Sequence, residues 1–199
     1  MMETHAALLA HLRGKIDFSE SELIDFASFF KRTTIKKRQF IIQPDFTAKY
    51  RNYVVQGAFR AYVVGDFGEE HTIQFAVEDW WISDYNSYIF QQPASMFVVA
   101  LEDSVVLQID YESEQMLKAK HHKYETFFRI MAERSFAGLQ RRLISNLTKT
   151  AEERFTEFET KYPNIAHRVP QYALASFLGM TTQYLSKLRN TRVQSKKLI

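Results

Sequence analysis

The sequence predicts an α+β protein in three parts: a small antiparallel β-barrel, a long helix, and a compact two-helix module at the carboxy terminus. Three observations carry this prediction. Seven short β-branched and aromatic runs lie between Thr33 and Asp110, separated by turn formers. No Pro then interrupts the span from Tyr111 to Tyr162. The charge also changes sign along the chain: residues 1–112 carry 10 Lys and Arg against 16 Asp and Glu, whereas residues 113–199 carry 16 against 7. The predicted boundaries are therefore 1–112 for the barrel, 113–148 for the long helix and 149–199 for the basic module.

Composition narrows the function classes. With 46% hydrophobic and 25% charged residues among 199, the chain can fill two small cores. The absence of Cys excludes disulfides, thiolate metal sites, iron–sulfur clusters and a cysteine nucleophile. The start, Met1-Met2-Glu3-Thr4-His5, lacks the basic and apolar regions of a signal peptide, and no run approaches the ~20 apolar residues that span a bilayer. The expectation is a soluble, cytoplasmic protein with no membrane partner.

The elements follow in order. Leu8, Leu9 and Leu12 begin a helical stripe, and Ser19 with Glu22 has the spacing of a capping box ahead of Leu23 to Phe30. The seven strand candidates are centred on Ile35, Phe40-Ile41-Ile42, Val54, Tyr62, Ile73, Val98 and Val106, with turns at Gln56-Gly57 and Gly65-Asp66-Phe67-Gly68. Short strands at such spacing make a sandwich or a small closed barrel, and closure leaves no exposed edge. From Glu112 the pattern turns helical. Phe128, Ala132, Phe136, Leu139, Leu143 and Leu147 recur at spacings of three and four, forming one apolar seam suited to pairing with a second copy; the alternative is a core helix of one domain. Thr150 and Glu153 form a second capping box, and Tyr162-Pro163 stops the helix that it opens. His121 and His122, as neighbours on a helix, should point apart.

The segment from Val169 to Asn190 carries the functional signal. Pro170 suits a helix start, Leu174, Ala175 and Leu178 are apolar at helical spacing, and Gly179 supplies a left-handed turn. Thr181 can cap a second helix whose Tyr184, Leu185 and Leu188 face inward and whose Thr182, Gln183, Ser186, Lys187 and Arg189 face out. Beyond Glu159 the chain has no acid but seven bases, Lys161, Arg168, Lys187, Arg189, Arg192, Lys196 and Lys197. A helix-turn-helix with an acid-free outer face suits the major groove of double-stranded DNA; an αα-hairpin without a DNA role is the alternative.

With these parts in place the chain resembles the CRP/FNR family of bacterial transcription regulators from Leu8 to Asn190. The resemblance rests on Gln56-Gly57-Ala58-Phe59, Ala151-Glu152-Glu153-Arg154-Phe155, Arg168-Val169-Pro170-Gln171 and Ala175-Ser176-Phe177-Leu178-Gly179-Met180-Thr181. It implies a cyclic-nucleotide-binding-like jelly roll as effector sensor, a homodimer, DNA binding, and RNA polymerase as a partner if the protein activates. It assigns base contacts to Thr182, Gln183 and Lys187, of which Gln can read adenine and Lys guanine; Thr181 and Arg189 are then phosphate contacts. The tail after Asn190 shows no strand pair for the family's β-wing.

The family's phosphate cassette, aromatic-x-Gly-Glu followed by Pro-Arg-Ser or Pro-Arg-Ala, is altered. Trp81-Ile82-Ser83-Asp84 and Gln92-Pro93-Ala94-Ser95 stand at its two parts, so Ser replaces Gly, Asp replaces Glu, and Ala94 replaces the phosphate-neutralising Arg. The resemblance thus implies an effector pocket at Trp80, Trp81, Ser83, Asp84, Ala94 and Ser95 that has lost cyclic AMP and prefers an uncharged or apolar molecule, with Arg60 or Arg134 as candidate substitute cations. Two other readings stand beside it. One is a cupin-like enzyme with a helical dimerisation tail, which needs His ligands on facing strands although only His71 lies in the strand region. The other is a constitutive DNA-binding protein whose barrel senses nothing. No cofactor or metal site is expected, and no enzyme motif is present.

Overall fold

The computed structural model describes the backbone of residues 2–197 and the side chains of residues 5–191. Helices α1 (Met2–Arg13) and α2 (Glu20–Ser28) come first. The capping box at the start of α2 forms as its spacing predicts: Glu22 N–H donates to Ser19 Oγ, and Ser19 N–H donates to the Glu22 carboxylate at 2.7 Å. Six strands follow, β1 (Lys31–Ile35), β2 (Phe40–Ile42), β3 (Tyr50–Gln56), β4 (Phe59–Val64), β5 (Glu70–Ala76) and β6 (Trp81–Ile82). The short helix α3 (Tyr85–Phe90) separates them from β7 (Phe97–Ala100) and β8 (Ser104–Asp110).

The strands form two antiparallel sheets, ordered β1-β8-β3-β6 and β2-β7-β4-β5. This corrects the expected closed barrel: among the described residues no strand ladder joins the two sheets, so the layers stack as an open sandwich. Of its four edge strands, β2 has only three residues and β6 two, and the β5 edge is met by Ser176 of the carboxy-terminal module. Strand β6 is the one strand beyond the seven predicted, too short for any alternation to reveal. Gly57 enables the tight β3–β4 turn. Its φ is +109°, and a Cβ there would sit 2.1 Å from Ser104 Oγ, so both conformation and space demand glycine.

Alternation along the first sheet feeds two cores. On β3 and β8, Val54 and Val106 point between the sheets, into a cluster with Phe59, Ile82 and Val98. Tyr53, Leu107 and Ile109 point outward, against Leu12, Leu23, Phe26 and Phe127. The helices beyond β8 are α4 (Tyr111–Lys120), α5 (His122–Thr148), α6 (Ala151–Lys161), α7 (Pro163–Arg168), α8 (Gln171–Phe177) and α9 (Thr182–Lys197). The predicted long helix is thus divided. His121 is extended (φ −157°, ψ 137°) and caps α5 by accepting from Lys123 N–H through Nδ1 at 3.2 Å. Because His121 lies outside the helix, its ring sits 4.4 Å from that of His122, which corrects the prediction that the two point apart. The second capping box holds as expected, Thr150 and Glu153 bonding reciprocally at the start of α6.

A third core gathers Phe155, Phe158, Ile165, Leu174, Leu178 and Leu185 from α6 to α9, and continues onto Phe75 of β5. The carboxy-terminal module therefore packs directly on the outer face of the second sheet. Among the described residues, no helix is long and apolar enough to cross a membrane.

Candidate nucleic-acid interface and effector cavity

The helix-turn-helix forms where the sequence places it. Helix α8 ends in a Schellman motif, with Gly179 N–H donating to Ser176 O and Met180 N–H to Ala175 O, while Gly179 takes φ +66°. Thr181 Oγ1 then accepts from Tyr184 N–H at 3.2 Å and opens α9. Leu185 and Leu188 are buried and Ala175 is 1% exposed, which lets the two helices approach closely. A side chain outside the motif fixes its turn: Arg154 of α6 donates through Nε to Leu178 O at 2.9 Å and reaches Gly179 O.

Thr181, Thr182, Gln183 and Lys187 are exposed along one face of α9. Tyr184, predicted inward, is 41% exposed and belongs to that face; only Leu185 and Leu188 are needed to fill the gap against α8. Ser186 and Arg189, predicted outward, are half-buried. Ser186 Oγ accepts from Gln171 Nε2, and Arg189 donates to Ala166 O at 2.9 Å. Of the seven bases beyond Glu159, Arg168 turns away from this face and pairs with Glu78, at 2.7 Å, and with Glu102. That pairing draws the Glu78 carboxyl down to about 2. The side chains of Arg192, Lys196 and Lys197 lie outside the described residues. The backbone of α9 runs helical through Asn190 to Lys197.

The seam of α5 divides by position. Phe128 is 2% exposed and stacks on Phe26 inside the first core, a correction to its place in the seam. The first turns of α5 lie against α1 and α2, so the stripe there is already covered. Ala132 is half-buried. Beyond it, Phe136, Leu139, Leu143 and Leu147 are 68%, 61%, 58% and 78% exposed. These four large apolar side chains form one stripe that the described residues of the chain leave open.

The degenerate cassette is folded around Asp84. This carboxylate is fully buried, caps α3 by accepting from Ser87 N–H at 3.1 Å, and accepts from Ser95 N–H at 2.9 Å. It closes the cassette loop and has no exposed edge to offer a ligand. Ala94 belongs to the core between the sheets. Trp80, Trp81, Ser83, Asp84 and Ser95 instead border a cavity of about 800 Å³ that lies between β5, β6, α3, the middle of α5 and the carboxy-terminal module. Trp81 also packs on Tyr53 at 5.2 Å, and Trp80 meets Tyr162 of the module at 5.4 Å. Arg60, named as a substitute cation, is elsewhere: it bonds to Thr72 and Glu70 and stacks on Tyr172. His71 is exposed beside Glu69, and among the described residues no group of three His, Asp or Glu could hold a metal ion.

Superposition on solved structures places this geometry. The chain matches FixK2 from Bradyrhizobium japonicum with a TM-score of 0.74 and 17% identity, over 84% of this chain and 86% of that one. It matches a CooA variant from Carboxydothermus hydrogenoformans at 0.68 and 17%, over 94% and 84%. A protein assigned to the CRP/FNR family of transcriptional regulators, from Eubacterium rectale, matches at 0.67 and 16%, over 89% and 85%. The fold is that of the CRP/FNR regulators. No protein-family model and no curated protein matches the sequence, so the likeness lives in the structure.

Within this CRP/FNR-type fold, three arginines tie the parts together. Arg142 of α5 donates to the carbonyls of Ile73 and Thr72 on β5 and of Phe177 on α8, its guanidinium 3.9 Å from the Phe177 ring. Arg154 pins the helix-turn-helix turn, and Arg168 anchors α7 to the sheet loops. Ser176 completes the docking by accepting from Thr72 N–H and donating to Glu70 O. Such contacts span 24 to 106 residues in sequence, beyond the reach of any local pattern.

Proposed function

We propose that the protein is a homodimeric, sequence-specific DNA-binding transcription regulator whose sandwich domain senses an effector. The observation that carries this reading is the free outer face of α9, where Thr182, Gln183 and Lys187 stand exposed on a helix fixed by a Schellman turn and a threonine cap. Two such helices, brought together by a second copy, fit half-sites one helical turn apart. The stripe Phe136, Leu139, Leu143 and Leu147 supports that pairing, since an apolar row of this size on a lone helix is costly to leave in water. Thr181 is the phosphate contact nearest the helix start. If the protein activates, RNA polymerase is its further partner.

The cavity bordered by Trp80, Trp81, Ser83, Asp84 and Ser95 is the candidate effector site, because it touches α5 and the DNA-binding module together. Cyclic AMP does not fit the cassette: no arginine stands at position 94, and Asp84 is consumed by backbone donors. A charge-assisted hydrogen bond to the phosphate is worth about 1.5–3 kcal/mol, so a cassette without one binds at least tenfold more weakly. DNA selection from a random pool, followed by anisotropy on the selected duplex, tests the regulator reading. A protein that enriches no sequence would refute it.

A further inference from the structure

We infer that the cavity takes an amphipathic monoanion, with its anionic group at Arg51 and its apolar body along the aromatic wall. This rests on the effector reading and names the ligand's chemistry. Arg51 comes from β3, outside the cassette, and borders the cavity together with Ser83, Asp84 and Tyr85. Its side chain is 6% exposed. The guanidinium is fixed among the rings of Tyr85, Phe128 and Tyr88, at 4.9, 5.1 and 5.4 Å. Its nearest acid is Glu114, whose Oε2 lies 3.1 Å from Arg51 Nε, but Glu114 also pairs with Lys118 at 2.6 Å. Two cations thus share one buried carboxylate. The other bond, among the described residues, runs from one terminal nitrogen to the Tyr85 hydroxyl at 2.7 Å, so of five guanidinium donors several remain for a ligand.

The remaining charges around the cavity act in the same direction. Five cationic side chains border it against two carboxylates, Asp84 and Glu157. Asp84 accepts from Ser87 and Ser95, and Glu157 pairs with Lys149 at 2.8 Å. Arg142 and Arg154 bond to carbonyl oxygens and, among the described residues, meet no acid, so their charge is left to the cavity's field. They are, however, held by those carbonyls, and Arg141 and Lys161 are exposed to solvent, which leaves Arg51 as the buried cation with donors to give. The rest of the lining is largely apolar, with Trp80, Phe75 and Phe158 among it. A cavity of about 800 Å³ is in the size range that encloses a small organic ligand. An uncharged molecule would leave the Arg51 donors unanswered.

Calorimetry on the full-length protein with decanoate, its neutral twin decanol, and cyclic AMP tests the inference, with DNA anisotropy measured in parallel. Decanoate should bind about ten- to a hundredfold more tightly than decanol. Arg51→Gln should reduce decanoate to the decanol level while leaving decanol unchanged. Tyr85→Phe, which keeps the ring and removes only the competing hydroxyl, should retain or strengthen decanoate binding, and it serves if Arg51→Gln fails to fold. Equal binding of decanoate and decanol, or no decanoate binding at about a millimolar, would overturn the inference. Cyclic AMP binding more tightly than decanoate would overturn it as well. Decanoate binding that leaves DNA affinity unmoved would support the site and defeat the effector reading, so the two failures are distinguishable.

Discussion

Lys187 and Gln183 stand free on α9, whereas Arg189 is bonded to Ala166 O, so substitutions should separate reading from folding. Gln183→Ala and Lys187→Ala should each relax preference at one position of a selected site by about 1–3 kcal/mol, seen by anisotropy across single-base variants. Arg189→Ala should instead lower the melting temperature of the module, removing a hydrogen bond of about 1 kcal/mol. At the other end of the chain, burial between Tyr53 and Phe127 lowers the His11 pKa to about 4. The unfolded chain, with an ordinary histidine near 6.5, then binds the extra proton first as pH falls. Stability carried by neutral His11 is therefore complete above about pH 6.5 and is lost progressively toward pH 4. Thermal unfolding between those values should show this slope, and His11→Phe should flatten it.

At the level of elements, the exposed half of α5 makes the sharpest prediction. Leu139→Glu together with Leu143→Glu should yield a folded monomer by sedimentation, because both positions are exposed in the single chain, and DNA affinity should fall with it. A wild-type monomer at tens of micromolar would contradict the dimer. The same helix shows what a sequence makes legible. Both capping boxes and the Gly179 turn are readable because each is closed by residues within a few positions of one another. The stripe on α5 is readable as apolar, but a spacing of three and four is identical for a core face and a dimer seam. Only the packing of α1 and α2 shows that Phe128 belongs to the core, while Phe136 is left on the exposed stripe. The break at His121 is hidden because no Pro or Gly marks it. Arg51 escapes for a different reason: the cassette pattern puts its cation at position 94, after α3, whereas Arg51 comes from β3.

Across the whole molecule, the helix-turn-helix module is docked on β5 by Arg142 and Ser176 and on the sheet loops by Arg168, and the candidate cavity opens beside that contact. In the proposed regulator, an effector there would act on the angle between the module and the sandwich. Arg142→Met should loosen the docking, which hydrogen exchange would register as faster exchange in α8 with the first core unchanged. The central claim is that two copies present α9 to a two-fold DNA site. It is tested most directly by selecting duplexes from a random pool with the purified full-length protein and titrating the enriched duplex at several salt concentrations. The account predicts a pseudo-palindrome with half-sites about one helical turn apart and an affinity falling steeply with salt. Binding that favours no sequence, or one that is indifferent to salt, would contradict it.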